Sequence, residues 1–411
     1  MSVKLSDIQE ARKVLQGIII PTPILSDERL SREIGARAFQ KAECLQRSGS
    51  FKMRGAYNKL SRLADDEKKR GVITASAGNH AQGVAMAARL LGIRATIVLP
   101  EFAPLTKIMS TKAQGAEVIM HGTTFDEAVA YSKKLREEQN FIYVHAFDDE
   151  RIIAGQGTIG WEIVEDLPEA TVVVVPIGGG GIISGIALAV KNLLPNVRVV
   201  GVQSAHCAPV NKSLKEGKPV EETNYQATIA DGIAVKRPGE KTLPIIEKYV
   251  DEVVEVTEDE IARGIYHCMQ NNRLVVEGAG AAGVAALLAK KIRIKSDDTV
   301  CNVLCGGNID ANLFNRVLEQ VLVRQGRYIM LKVLVADRPG MLARLLNHVA
   351  ESSANVIEVY HRRAMWLAPL GRVGIEMLLE VRDDEHGRDV IRHLTGCGYH
   401  VEHELADEWE S

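Results

Sequence analysis

Apolar positions along the chain switch repeatedly between two spacings. Residues 71–75 form a short apolar run that stops at Ser76, and from about 80 to 91 the apolar positions recur at helical spacing. Runs at 95–100 and 117–120 repeat the strand pattern, and 104–114 and 125–139 repeat the helical one. The alternation resumes after Phe147, with helices at 155–165, 182–193 and 275–292 and strands at 171–175, 197–202 and 299–304. A helix at 6–16 and an extended turn at Pro21-Thr22-Pro23 come first. Strands that alternate with helices predict an α/β fold, a parallel sheet covered on both faces. The pattern divides into two lobes: a small one over about 46–146, inserted into a large one made of 1–45 and 147–315. The crevice between such lobes is the natural ligand site.

Near Tyr328 the texture changes. A strand at 328–335 leads into the turn Asp337-Arg338-Pro339-Gly340, after which Met341, Leu342, Leu345, Leu346 and Val349 keep a helical period. Strands at 356–360 and 373–381, a helix at 387–395 and a strand at 399–404 complete the order β-α-β-β-α-β. That order predicts a ferredoxin-like domain over 328–411. A helical segment at 313–324 joins it to the rest, with the linker placed at 316–327.

Composition mostly removes alternatives. A chain of 411 residues has room for two or three domains, and a net charge of -3 leaves no basic stripe for nucleic acid. The cysteines Cys44, Cys207, Cys268, Cys301, Cys305 and Cys397 are scattered, which predicts reduced thiols. Cys301 and Cys305 have no second pair to complete a zinc site, so no metal is expected. Residues 171–190 are free of charge and long enough to span a membrane. Pro176 and the glycines at 178–181 and 185 divide that run into strand, loop and helix, which argues against a membrane span. Lys4, Asp7, Glu10, Arg12 and Lys13 are wrong for a signal peptide, so a cytoplasmic protein is expected.

Three stretches carry candidate chemistry. In Ser48-Gly49-Ser50-Phe51-Lys52-Met53-Arg54-Gly55 the serines read as helix caps, which puts Lys52 and Arg54 in the first helical turn. Helix N-termini carry partial positive charge, so an ammonium there is easier to deprotonate, as a Schiff-base lysine requires. By itself such a lysine is usually a solvated one; the other two stretches change that reading. Gly178 to Gly181 follow a strand and precede a helix, an arrangement whose N–H groups surround an anion. The spacing is wrong for a dinucleotide loop, and Ile186 stands after Gly185 where a P-loop needs Lys, so a phosphate monoester cup remains. Ser76-Ala77-Gly78-Asn79-His80 also joins a strand to a helix, and its amides and side chains suit a carboxylate and a ring oxygen. Cys305-Gly306-Gly307-Asn308 ends another strand and places a thiol at the same rim. Together these make a site for an aldehyde cofactor bearing a phosphate.

These stretches resemble the threonine dehydratases (threonine ammonia-lyases), members of the fold-type-II, tryptophan synthase β-like enzymes that use pyridoxal phosphate. Ala154-Gly155-Gln156-Gly157-Thr158, Ile229-Ala230-Asp231-Gly232-Ile233-Ala234-Val235-Lys236 and Val276-Glu277-Gly278-Ala279-Gly280-Ala281 extend the resemblance over about 5–325. It implies that Lys52 holds the cofactor aldehyde and later moves protons at Cα of the substrate. It also implies that Gly178, Gly179, Gly180 and Gly181 hold the phosphate, that Asn79 bonds the ring oxygen, and that Phe51 packs by the ring. Ser76, Ala77, Gly78, Asn79 and His80 would take the amino-acid substrate, and Cys305 would face the pyridine nitrogen. A thiol there makes a weaker electron sink than a carboxylate and favours prompt loss of the β-hydroxyl. The implied reaction converts L-threonine to 2-oxobutanoate and ammonia, with L-serine as a secondary substrate.

Two departures bear on relatives of the family. Serine racemases carry a second serine where this chain has Ala77, and a cation site where it has Gln203 and Pro209. The other readings are a serine dehydratase or racemase, an amino-acid sensor with a decayed catalytic lobe, and a plain α/β scaffold. The C-terminal domain resembles the ACT domains, through its topology, its Asp337-to-Leu342 turn and Ala354-Asn355-Val356. That resemblance implies a branched-chain amino-acid effector near Gly340, Met341 and Asn355, with a domain that only builds the oligomer as the alternative; the dehydratase resemblance implies a homo-oligomer, a tetramer or dimer, and a place in isoleucine biosynthesis.

Overall fold

The computed structural model describes residues 3–103, 105–362 and 369–404. Pro104, the first residue of the expected helix at 104–114, lies outside them, and the helix runs Leu105–Ala113. Contacts divide the chain into two units, Met1–Leu313 and Phe314–Ser411.

The first unit opens with helix Leu5–Leu15 and the antiparallel pair β1 (Ile24–Ser26) and β2 (Arg37–Lys41). β3 (Val72–Ala75), β4 (Ala95–Leu99), β5 (Glu117–Met120) and β6 (Ile142–Tyr143) then form a parallel sheet in the order β5-β4-β3-β6. β7 (Val172–Pro176), β8 (Arg198–Ser204), β9 (Glu252–Val256) and β10 (Thr299–Val303) join the first two strands in the order β1-β2-β10-β7-β8-β9. Every pair in that sheet except β1 with β2 is parallel. The charge-free run at 171–190 is β7, a loop and helix Gly181–Leu193. No helix among the described residues is long and apolar enough to cross a membrane.

Four strands escaped the sequence reading, each for a physical reason; β6, with two residues, is too short to show a pattern. β1 has three residues, and β9 carries Glu252 and Glu255 among its valines. β2 buries Gln40 and Lys41 completely, so it lacks an apolar signature. Gln40 donates to Asp27 at 2.9 Å and Lys41 donates to the Thr22 carbonyl at 2.7 Å, which offsets their desolvation.

Helix Lys52–Ser61 carries the candidate lysine and is held on two sides. Met53, Ala56 and Leu60 are fully buried, and each large apolar side chain of this kind contributes about 1.5–3 kcal/mol. It crosses helix Glu150–Asp166 backbone to backbone: a Cβ on Gly155 would lie 2.6 Å from Gly55 Cα and 2.7 Å from the Arg54 carbonyl oxygen. That contact accounts for glycine at both positions. Helix Glu150–Asp166 starts five residues before the expected 155, because Asp149 caps it by accepting from Arg151 and Ile152 N–H at 2.9 and 3.1 Å. The Ala-rich helix, expected over 275–292, runs Gly278–Leu288, since Glu277 is extended and gives its N–H to the Gly306 carbonyl.

Helix Ala311–Arg324 runs from the end of the first unit into the second and occupies most of the expected linker at 316–327. β11 (Tyr328–Ala336), β12 (Asn355–Arg362), β13 (Arg372–Glu380) and β14 (His400–Glu404) pair antiparallel in the order β12-β13-β11-β14. Helices Met341–Glu351 and Asp384–Gly396 make the two crossovers, giving the ferredoxin-like order β-α-β-β-α-β. Ile329, Leu331, Val333 and Val335 alternate inward along β11 and pack with Leu345, Val349, Val390 and Leu394 from the helices.

Candidate active site

The lysine stretch is positioned by a strand end rather than by serine caps. Ser50 is extended and bridges to Gly306, while Phe51 donates to the Cys305 carbonyl at 3.2 Å and Gly307 donates to Gly49 at 2.9 Å. Ser48 sits at a φ of 65°, and Phe51, not a serine, is the residue before helix Lys52–Ser61. The expected serine caps are therefore absent. Ser50 is committed to the bridge one residue too early to cap, and its buried hydroxyl has no partner among the described residues.

The two cations behave differently. Arg54 is fully buried between Glu43 and Glu162, 2.7 and 2.5 Å from their oxygens, and Lys41 approaches Glu162 at 2.7 Å. Lys52 instead lines the cleft, with its Nζ donating to the Ala146 carbonyl at 3.3 Å and lying 5.0 Å from the Phe51 ring centre. Burial lowers its pKa to about 8, and the Glu277 carboxylate opposes the shift. Desolvation, more than the helix terminus, prepares this amine.

Across the cleft, Gly178 to Gly181 connect β7 to helix Gly181–Leu193. Gly180 adopts a φ of 97°, which only glycine takes at low cost. A Cβ on Gly179 would enter the Phe147 ring. The Gly179 carbonyl accepts from Thr242 Oγ1 at 2.7 Å and from Gly239 N–H at 3.2 Å, which fixes the loop. Among the described residues no protein group accepts from the N–H groups of Gly178 to Gly181. Four free donors at the start of a thirteen-residue helix are a cradle for an anion.

The third wall is a chain of polar side chains. Asn79 donates from Nδ2 to Glu277 at 2.6 Å, and Asn308 Nδ2 donates to Asn79 Oδ1 at 2.6 Å and to the Ser48 carbonyl at 2.8 Å. Burial, helped by the Asp231 charge, raises the Glu277 pKa to about 7 while the Asn79 bond opposes it. Burial also pushes the Cys305 thiol well above its ordinary value, so it stays protonated. Ser76 Oγ accepts from Gly78 N–H at 3.3 Å. His80 is pushed down to about 3 by burial and so is neutral; its Nε2 donates to the Val144 carbonyl at 3.0 Å.

One cleft of about 860 Å³ is thus lined by Phe51, Lys52, the 76–80 loop, the glycine loop and Cys305. Gly340, Met341 and Asn355 lie in the second unit, where Gly340 precedes helix Met341–Glu351 at a φ of 85° and Asn355 donates to Glu380 at 3.2 Å. Gln203 spends its amide on Val210 N–H and the Ile177 carbonyl. Sequence reasoning passed over Glu277 and Thr242 as site residues. For Glu277 a signal existed: it is the lone carboxylate in an apolar and glycine-rich stretch, 274–289.

Residues 15–306 match the model of the pyridoxal-phosphate dependent enzymes. The chain belongs to that family. It is 47% identical to the L-threonine ammonia-lyase of Thermotoga maritima, covering 97% of this chain and 99% of that one. It is 44% identical to a catabolic L-threonine dehydratase, TdcB, of Staphylococcus aureus over 78% of this chain and 93% of that one. Among solved structures, the processed form of threonine deaminase isoform 2 from Solanum lycopersicum superposes with a TM-score of 0.73 at 38% identity, over 77% of this chain and 86% of that one.

The residues fit pyridoxal phosphate. The cofactor needs an amine near its aldehyde and donors for its phosphate, and the cleft offers Lys52, with a pKa near 8, and four unpaired glycine amides.

Proposed function

We propose that this family member is an L-threonine ammonia-lyase, which eliminates water from L-threonine to give 2-oxobutanoate and ammonia and accepts L-serine as a secondary substrate. The observation that carries the reading is the meeting of a deprotonatable amine, four free glycine amides and a neutral thiol in one cleft. The choice of threonine follows the relative named for it that matches almost end to end.

In this reading Lys52 Nζ is the covalent anchor for the cofactor, and the amides of Gly178 to Gly181 hold its phosphate. When bound, the cofactor supplies a sink for negative charge that develops at Cα of the substrate. Lys52 Nζ, neutral above about pH 8, takes the Cα proton. The N–H groups and Ser76 hydroxyl of the 76–80 loop hold the substrate carboxylate. Asn79 orients the ring oxygen, and Glu277 and Asn308 fix the Asn79 amide from both ends. Because Cys305 stays a thiol, it would offer the bound cofactor no carboxylate-like counter-charge, which favours early departure of the β-hydroxyl. His80, tied to Val144, contributes its backbone rather than its ring.

A keto-acid assay with L-threonine and L-serine tests the reading. Production of 2-oxobutanoate faster than pyruvate supports it. Absence of both, or recovery of racemised amino acid without keto acid, overturns it.

For the second unit the reading is an ACT domain that binds a branched-chain amino acid near Gly340, Met341 and Asn355 and so tunes the reaction in a cytoplasmic homo-oligomer, a tetramer or dimer, of isoleucine biosynthesis. The sheet order and the open left-handed turn at Gly340 support it. Calorimetric titration with isoleucine and valine checks it: heat together with altered kinetics is expected, and neither with either amino acid removes it.

A further inference from the structure

In the second unit, helices Met341–Glu351 and Asp384–Gly396 pack into one core through Leu345, Val349, Val390 and Leu394. At their C-terminal ends four potential ligands meet. His348 and Glu351 lie one turn apart on the first helix, and His393 and Cys397 lie one turn apart at the end of the second. The ligating atoms of His348, His393 and Cys397 all fall within 4.8 Å of one another. Cys397 Sγ is 3.6 Å from His348 Nδ1 and 3.9 Å from His393 Nε2. Glu351 Oε2 is 3.0 Å from His348 Nδ1 and 3.5 Å from His393 Nε2.

These separations are the edges of a coordination tetrahedron. With zinc–nitrogen bonds of about 2.05 Å and a zinc–sulfur bond of about 2.3 Å, tetrahedral ligands stand roughly 3.3 Å (nitrogen to nitrogen or oxygen) and 3.5 Å (nitrogen to sulfur) apart. Four of the six edges, at 3.0–3.9 Å, stand close to those values, and the ligating atoms of His348, His393 and Cys397 are no more than 4.8 Å apart, so closing on an ion asks for side-chain rotation at the two helix ends. Two imidazoles, a thiol and a carboxylate are also the donor set of a borderline-soft dication rather than of calcium or magnesium. The Tyr399 ring stands 5.8 Å from the His348 ring and closes one side. Spacing along the chain does not reveal this group, because His348 and His393 stand 45 positions apart on two different helices.

We propose that His348 Nδ1, His393 Nε2, Cys397 Sγ and Glu351 Oε2 form a structural zinc-class site that staples the two helices of the C-terminal unit. Binding replaces the Cys397 S–H bond by a sulfur–metal bond and releases that proton to solvent; nothing is oxidised or reduced. All four ligands come from the protein, so the site is closed to substrate and acts on the stability of the unit rather than on the chemistry at Lys52.

The test uses the full-length holoenzyme, stripped of metal with a chelator in the presence of a phosphine reductant and titrated with Co²⁺. One equivalent per chain is expected to give the intense visible bands of tetrahedral cobalt, at wavelengths beyond the cofactor's absorption, and Zn²⁺ is expected to abolish them. Cys397→Ser and His393→Gln should each weaken binding by at least the 10–100-fold that loss of even an outer partner costs. Keto-acid production without effector should stay at the wild-type level, which shows that both variants fold. The proposal is overturned by a pale octahedral spectrum, by a dissociation constant weaker than about 0.1 mM, or by Cys397→Ser binding cobalt as the wild type does.

Discussion

Replacing Arg54 by Met tests how the lysine helix is anchored. The guanidinium is fully buried and donates to both oxygens of Glu43, at 2.8 and 2.7 Å, and both of Glu162, at 2.5 and 2.8 Å. With Lys41 beside Glu162, two cations balance two carboxylates. Methionine fills most of the volume but leaves the buried Glu43 carboxylate without a cation, held by Thr22 at 2.5 Å. Removing one partner of a buried ion pair costs about 3–5 kcal/mol. The unit spans 313 residues. At roughly 2.1 cal/mol/K per residue its unfolding entropy is ~0.66 kcal/mol/K, so the melting temperature falls by about 5–8 °C. Adding Glu43→Gln to Arg54→Met leaves Lys41 paired with Glu162 and restores neutrality, so the double variant should recover roughly half of the loss. Scanning calorimetry at saturating cofactor measures both, which keeps linkage to the cofactor constant. A single variant within about 2 °C of wild type, or a double variant that melts below the single one, would refute the argument.

Three further outcomes follow from the cleft. Since the neutral amine is the nucleophile and burial brings Lys52 to about 8, uptake of pyridoxal phosphate by the apoprotein should speed up with rising pH and level off above about 8; a rate still climbing past pH 10 contradicts this. Gly179→Ala drives a methyl into Phe147 and displaces the phosphate cradle, so cofactor affinity should fall at least tenfold, or ~1.4 kcal/mol, and unchanged affinity by fluorescence titration counts against the cradle. Glu277→Gln removes a carboxyl that titrates near 7 and whose charge helps hold the Lys52 pKa up. The pH–rate profile should lose its inflection near 7 and the lysine should titrate lower still, so an unaltered profile excludes the role given to Glu277.

What the sequence disclosed depended on whether the cause was local. The glycine loop was legible because its chemistry is backbone chemistry, and β7 because Val172 to Val175 are buried on both faces and form an unbroken apolar run. β2 was not legible, since the partners that let Gln40 and Lys41 be buried lie elsewhere in the fold. Ser50 was misread as a cap because its bridge to Gly306 spans 256 positions. Lys52 was legible as a candidate, but the cause of its lowered pKa, burial in the cleft, belongs to the assembled lobe. Glu277 acquires its meaning from Asn79, 198 residues away.

The account rests on the identity of the amine that holds the cofactor. Borohydride reduction of the purified protein, followed by digestion and mass spectrometry, measures it directly. The account predicts a pyridoxyl group on the peptide that contains Lys52, and none on any peptide once Lys52→Ala is made. A pyridoxyl group on another lysine of the wild-type protein, or none at all in a preparation that binds the cofactor, would contradict it.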